Sequence, residues 1–261
     1  MKTFPLNAWY AAAYDVEVKH ALLARTVCNQ KIVMFRRQDG SLAALEDACW
    51  HRLLPLSMGR LDGDELVCGY HGLVFNGDGR CTHMPSQETI NPSACVRAFP
   101  VVQKHRFVWI WPGDPALADE AKIPDLHWND DPAWAGDGKL ITVKCDYRLV
   151  LDNLMDLTHE AFVHGASKRM ICHYFWAFAR NYSLGEQRLT HELREGVASI
   201  FREDELVLEA QQKAIDEHPG YTFYNLNIDA GSMWARKLID KQIAAEAPPP
   251  ETTRVIPLRA A

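Results

Sequence analysis

Two short loops that have to meet constrain this chain more than anything else in it. The runs CWHRLLPLSMG at 49–59 and CGYHGLVFNGDG at 68–79 read as C-x-H, sixteen residues, then C-x-x-H. Each supplies one thiol and one imidazole from a segment that turns at glycine, so Cys49, His51, Cys68 and His71 share a centre only if the residues between them double back. Two thiolates and two imidazoles suit a [2Fe–2S] cluster in which one iron takes the cysteines and the other the histidines. Neutral imidazole in place of thiolate leaves such a cluster less negative and easier to reduce. A structural zinc takes the same four ligand types. Zinc fingers usually segregate their Cys pairs from their His pairs, whereas each loop here carries one of each.

The other sulfur atoms read differently. Cys81-Thr82-His83 repeats C-x-H without a C-x-x-H at the matching distance downstream, and it reads as a strand with one face buried. Cys28, Cys95, Cys145 and Cys172 sit singly in apolar strands and are expected as buried thiols. Seven cysteines, an odd number, in a chain whose first residues lack a signal-peptide pattern argue against a disulfide framework and for a cytoplasmic location.

The residues around the two loops are punctuated like antiparallel sheet. KIVMFRR, QDGS and LAALED, then LVF, NGDG and RCTHM, then VRAFPVV ahead of FVWIW are hairpin signals running from about Arg25 to Trp111. Trp109 and Trp111 alternate with apolar neighbours and are expected in the core. PGDPALADEAKIPD, at 112–125, reads as a connection. Beyond it the periodicity predicts helices over about Tyr147–Val163, Gln187–Glu217 and Asp229–Glu246, with Asp229 as an N-cap and a strand-like ICHYFWAFARNY between the first two. The closing APPPETTRVIPLRAA reads as an extended tail. The chain thus divides into residues 1–112, 113–247 and 248–261, of α+β class, and its 261 residues leave room for real cores. Twenty-eight basic against thirty-four acidic residues, with no basic cluster, exclude a nucleic-acid partner. No apolar run approaches the roughly 20 residues that cross a bilayer.

A second constellation lies in DNLMDLTHEAFVH, residues 152–164. His159 and His164 are five apart, a rotation of roughly 140° on a helix, so they share no clean face. On a helix Asp152, Asp156, His159 and Val163 form one seam, Asn153, Asp156, Glu160 and His164 the next, and Asp156 belongs to both. The pair converges on a metal if the helix loosens between them. Asp204 supplies a third donor: it interrupts the apolar stripe of QRLTHELREGVASIFREDELVLEAQQK, whereas Glu203 and Glu205 read as solvated surface. A carboxylate facing a core is costly unless paired or metal-bound. His159, His164 and Asp204 therefore make either the facial triad of a non-haem iron site or a histidine pair beside an acid paired with Arg194 or Arg202.

CWH with CGYHG, taken together with DNLMDLTHEAFVH, resembles the Rieske non-haem iron oxygenases. NAWYAAA, CGYHGLV, WPGDPALAD, CDYRLVLDNLMDLTHE and LNIDAG are similar, more narrowly, to the vanillate O-demethylase oxygenase components, with dicamba monooxygenase a near relative. The resemblance implies an N-terminal antiparallel β domain whose Cys49, His51, Cys68 and His71 hold a Rieske cluster. It implies a C-terminal domain of helices and antiparallel sheet in which His159, His164 and Asp204 hold Fe(II), Asn153 lies beside the iron and Asp156 bridges electron transfer. It further implies a head-to-tail homotrimer in which the cluster of one subunit serves the iron of the next. The activity implied is O-demethylation of an aryl methoxy group. One atom of O₂ enters the methyl carbon, the hemiacetal collapses to a phenol and formaldehyde, and the other atom leaves as water. The chain carries no G-x-G-x-x-G after a strand, so electrons from NAD(P)H imply a separate reductase with flavin and an iron–sulfur centre. Rival readings are a ring- or methyl-hydroxylating oxygenase of phthalate or toluenesulfonate type, and a Rieske electron carrier without catalysis.

There are two departures from the family pattern. Trp50 stands where relatives commonly have Pro, which removes no ligand. Between His164 and the strand CHYFWAFARN only GASKRMI intervenes, where the family places several strands; at roughly 8 to 12 residues per strand and turn the shortfall is on the order of 80 residues. The expectation is a break at Ser167/Lys168, with most of the substrate pocket absent, because losing that sheet leaves the apolar faces of the flanking helices uncovered.

Overall fold

The computed structural model describes residues 4–155, 172–219 and 229–246. The chain divides into two compact units, one of Met1–Gln103, Phe107–Ile123 and Gln242–Ala261, the other of Lys104–Arg106 and Pro124–Lys241.

The strands of the first unit form three sheets. β1 (Tyr10–Tyr14), β10 (Phe107–Ile110) and β9 (Val101–Lys104) form one sheet, β2 (Leu23–Val27), β3 (Gln30–Arg36) and β4 (Leu42–Glu46) a second, and β5 (Arg60–Asp62), β6 (Glu65–Val67), β7 (Val74–Phe75) and β8 (Cys81–His83) a third. The continuous apolar run of β3 explains how these layers hold together. Successive side chains of a strand point to opposite faces, and here Ile32 and Met34 enter one core with Ala13, Val108 and Ile110 while Val33 and Phe35 enter another with Leu45, Leu66 and Phe75. Both faces are covered, so apolar residues need not alternate with polar ones.

Several expectations about single residues change. Cys28 is not in a strand: with Asn29 it makes the two-residue turn between β2 and β3, at φ 49° and 60°, the left-handed pair that matches strand twist. Cys95 is exposed, opposite Arg80 in an isolated bridge. Cys81 is buried while His83 is exposed, the one-sided strand that its spacing suggested. Trp109 and Trp111 are core residues.

The second unit pairs β11 (Ala135–Val143) with β12 (Cys172–Arg180) over nine registered positions. β11, of sequence AGDGKLITV, is not foreseen from the sequence. Gly136 is there because the strands approach closely: a Cβ on it would lie 2.1 Å from the Phe178 carbonyl oxygen. α1 (Tyr147–Met155) begins where predicted, and the rest of the expected helix lies outside the described residues. α2 (Gln187–Glu217) has the predicted bounds, and α3 (Ala230–Ala245) follows Asp229, whose carbonyl accepts from the Ser232 hydroxyl at 2.9 Å. Cys145 and Cys172 share an apolar cluster with Val143, Leu149 and Leu208, where burial pushes their thiols up to about 12 and about 11. Among the described residues β11 and β12 are the whole sheet of this unit. Leu154, Met155, Ile200, Leu206 and Trp234 of its helices are exposed.

The entry to α2 has no capping side chain of its own. Arg180, at the end of β12 and only 4% exposed, fixes the loop ahead of the helix instead: its guanidinium donates to the carbonyls of Tyr182, Ser183 and Glu186 and to the Thr190 hydroxyl. Arg180→Met keeps the stem, removes these four bonds and takes the arginine donor from the buried Thr190 hydroxyl. Unpaired buried polar groups and lost charge-assisted bonds predict a destabilisation of about 3 kcal/mol, read as a lower urea midpoint at unchanged slope; an unchanged midpoint contradicts this account of the junction.

Candidate metal centres

The sixteen-residue spacer between the two loops is a hairpin. β5 leaves the first loop, β6 enters the second, and their pairing of Arg60 with Val67 brings the loops side by side. Glycine lets the backbones touch: a Cβ on Gly59 would lie 2.1 Å from the Val67 carbonyl oxygen, and one on Gly69 2.7 Å from that of Met58. Within each loop the same two backbone bonds recur. Cys49 N–H donates to Leu54 at 2.8 Å and Leu53 N–H returns to Cys49 at 2.9 Å; Cys68 N–H donates to Leu73 at 2.8 Å and Gly72 N–H returns to Cys68 at 3.1 Å.

This arrangement sorts the donors by type. Cys49 and Cys68, each 2% exposed, belong to the same core as Phe35, Leu56 and Phe75. Their thiols hydrogen-bond to each other, and burial pushes that of Cys49 up to about 11. His51 and His71 stand at the exposed edge with their Nδ1 atoms 3.2 Å apart and ring centroids 4.6 Å apart. Burial, the His71 imidazole and the Arg52 charge each hold the His51 imidazole below its usual value, which favours the neutral, ligating form. Tyr70 covers His71, its ring centroid 3.9 Å away. Paired thiols on the inside and paired imidazoles at the rim fit a [2Fe–2S] cluster of mixed ligation.

The second unit contributes half of the other candidate centre. Asp204 of α2 is half-buried and accepts a hydrogen bond from Asn153 Nδ2 of α1 at 3.1 Å, in a cleft walled by Ile141, Val150, Tyr174 and Phe201. Of the two arginines considered as partners for this acid, Arg194 binds Asp137 at 2.7 Å and Glu195 at 3.2 Å instead, and Arg202 is exposed. Burial and the Asp204 charge raise the Tyr174 phenol above its usual value. Glu205 is not solvated surface. It lines the same cleft, where burial and Glu209 raise its carboxyl; its place one residue past an apolar-stripe position hid it from a helical-period reading. Asp152, on the neighbouring face of α1, is bound by Arg236. Asp156, His159 and His164 lie outside the described residues.

Known proteins share both halves. Residues 8–100 match the family model of the Rieske [2Fe-2S] domain, and residues 143–170 and 167–245 match that of the vanillate O-demethylase oxygenase C-terminal domain. The vanillate O-demethylase oxygenase subunit of a Pseudomonas species is 32% identical over 93% of this chain and 96% of its own length. The toluene-4-sulfonate monooxygenase system iron-sulfur subunit of Comamonas testosteroni is 29% identical over 93% of this chain and 98% of its own. The crystal structure of dicamba monooxygenase bound to dicamba is similar with a TM-score of 0.84 at 30% identity, over 93% of this chain and 98% of that one.

These matches also bear on the short connection after His164. The match to the Pseudomonas protein extends over 340 positions, whereas 93% of 261 residues is about 243, so about a hundred positions have no counterpart here. Since nearly all of both chains is covered, the shortfall is internal, and the two matches to the C-terminal family model meet at residues 167–170. Matched in both of its domains and along nearly its whole length, the chain belongs to the Rieske non-haem iron oxygenases, in the family of the vanillate O-demethylase oxygenase subunits.

Proposed function

We propose that this chain is the oxygenase component of a two-component aromatic O-demethylase that acts in the cytoplasm on a vanillate-like methoxyarene. Residues 1–112 are its cluster domain, 113–247 its iron domain and 248–261 an extended tail, and the working assembly is a head-to-tail homotrimer. The observation that carries the reading is the coexistence, in one chain, of the paired Cys49/Cys68 and His51/His71 donors with an Asp204 carboxylate held by Asn153 at 3.1 Å. A pure electron carrier needs only the first. The relatives are described as an oxygenase subunit and as part of a monooxygenase system, which supports a separate reductase carrying flavin and an iron–sulfur centre, with NAD(P)H used only through it.

Bound at these sites, the cluster supplies single electrons and the iron supplies the activation of O₂. Cys49, Cys68, His51 and His71 hold the one, and His159, His164 and Asp204 the other. Asn153 orients Asp204 by donating to Oδ1 at 3.1 Å. Ile141, Val150, Tyr174 and Phe201 line the cleft beside that carboxylate. Asp156 would accept from the outer nitrogen of an iron-ligating imidazole, the arrangement that orients metal-bound histidine, and so bridge electron transfer between cluster and iron. In sum a methoxyarene, O₂, two electrons and two protons give a phenol, formaldehyde and water.

Two observations favour other readings. The toluenesulfonate relative matches nearly as well as the vanillate one, which favours a ring- or methyl-hydroxylating oxygenase. The internal shortfall of about a hundred positions favours a cluster that passes electrons onward without chemistry. Methoxybenzoates screened with a matched reductase decide among them. Substrate-dependent O₂ uptake with one formaldehyde per phenol is expected, a hydroxylated product without formaldehyde supports the first rival, and a reducible cluster with no uptake supports the second.

The metal assignments are separable. Asp204→Ala is expected to drop the iron content from three to two per chain with the Rieske absorption intact, and Cys68→Ser to do the reverse; three irons in the Asp204 variant rule out the triad. Asp156→Asn is expected to keep both metals while oxidation of the reduced cluster in a single turnover slows by orders of magnitude. A near-normal rate would remove Asp156 from the electron path.

A further inference from the structure

The two ligand loops share one backbone plan but fill its left-handed position with different residues. The fourth residue after each cysteine is left-handed: Gly72 at φ 73° in the second loop, Leu53 at φ 59° in the first. Glycine takes that conformation freely, whereas a side chain with a Cβ is strained in it. Leu53 is 61% exposed, so burial of its side chain does not offset the strain. Such a conformation persists only where its surroundings over-determine it.

Asp47 is placed to do this. It follows β4 directly, is 6% exposed, and its own N–H donates to the Lys31 carbonyl at 2.9 Å, which ties it to the start of β3. Its carboxylate reaches over the ligand loop to a single residue: Oδ1 accepts from the Ser57 N–H at 2.6 Å and Oδ2 from the Ser57 hydroxyl at 2.7 Å. Asp47 and Ser57 therefore bracket Cys49, His51 and Leu53 from both sides. A buried carboxylate is costly unless its oxygens are bonded, and these two are bonded only while the loop between them keeps its length and turn.

We propose that Asp47 and Ser57 are positioning residues for the cluster: their two hydrogen bonds hold the first ligand loop in its ligating shape against the strain at Leu53, and the carboxylate so buried lowers the cluster's reduction potential. Net charge near an iron–sulfur centre is one of the quantities that set its potential. The inference rests on the Rieske domain alone and stands or falls independently of the aromatic substrate.

The test uses the purified, cluster-loaded chain and follows visible circular dichroism during challenge with a ferrous chelator, together with potentiometry. Ser57→Ala is expected to lose the cluster about tenfold faster than the parent, Ser57→Thr at the parent rate, and Ser57→Ala with Leu53→Gly again near the parent rate, because glycine removes the strain the strap opposes. Asp47→Asn keeps an acceptor for the Ser57 N–H and removes the charge, so its cluster should be about tenfold easier to reduce, or about 59 mV for a one-electron couple. The proposal is overturned by parent-rate loss in Ser57→Ala, by failure of Leu53→Gly to restore it (including a double variant that does not fold), or by an unchanged potential in Asp47→Asn. A merely structural contact would move neither the potential nor the rescue.

Discussion

The approach of two backbones at Gly59 and Gly69 is the contact on which the cluster domain depends. Only there do the ligand loops lie close enough for two thiols to share a buried interior and two imidazoles a rim. A side chain at either glycine would hold the loops apart, since the neighbouring carbonyl oxygens at 2.1 and 2.7 Å occupy the place of a Cβ. The β5–β6 hairpin carries the loops to that contact, and the two-faced β3 supplies the cores in which Cys49 and Cys68 are buried. Burial serves the chemistry directly. A thiol raised to about 11 by desolvation is a poor thiolate by itself and becomes a strong ligand when iron supplies the opposite charge.

The second unit is organised around an acid on the wrong face of a helix. Asp204 sits where α2 should be apolar, and the hydrogen bond from Asn153 joins α1 to α2 at that point. Tyr174 packs edge to face on Phe201 with centroids 5.1 Å apart and Trp176 lies tilted against the same ring at 5.5 Å, so one wall of the cleft beside the half-buried carboxylate is aromatic. Arg180 locks the strand that carries this wall to the start of α2. Exposed Ile200, Leu206 and Trp234 mark where cover is thin, in the unit where relatives carry about a hundred further positions. The sheet of two strands and the uncovered helix faces have the same cause: apolar faces need a second layer to lie against.

Much of this was legible in the residues because it depends on local rules. C-x-H and C-x-x-H name their ligands by donor chemistry, α2 declares its bounds by periodicity from Gln187 to Glu217, and Asp204 stands out by breaking an apolar stripe. The short connection at GASKRMI was legible too, since a missing stretch of sheet changes chain length, which needs no structure to count. Cys28, Cys95, Glu205 and β11 were misread or missed for one reason: each depends on what lies across from it. Cys28 takes a left-handed turn because β2 and β3 pair around it, and Gly136 belongs to a strand because Phe178 crowds it.

Sequence by itself determined the donor sets, the order of elements and the family, since these follow from residue type and spacing. Tertiary structure alone decided which atoms meet. No spacing rule joins Asp47 to Ser57 or Asn153 to Asp204, because these bonds form between positions that become neighbours only after the chain has folded back. Their strength comes from the burial that folding creates: a hydrogen bond between such groups in water is nearly neutral, and in a desolvated interior its absence is what costs.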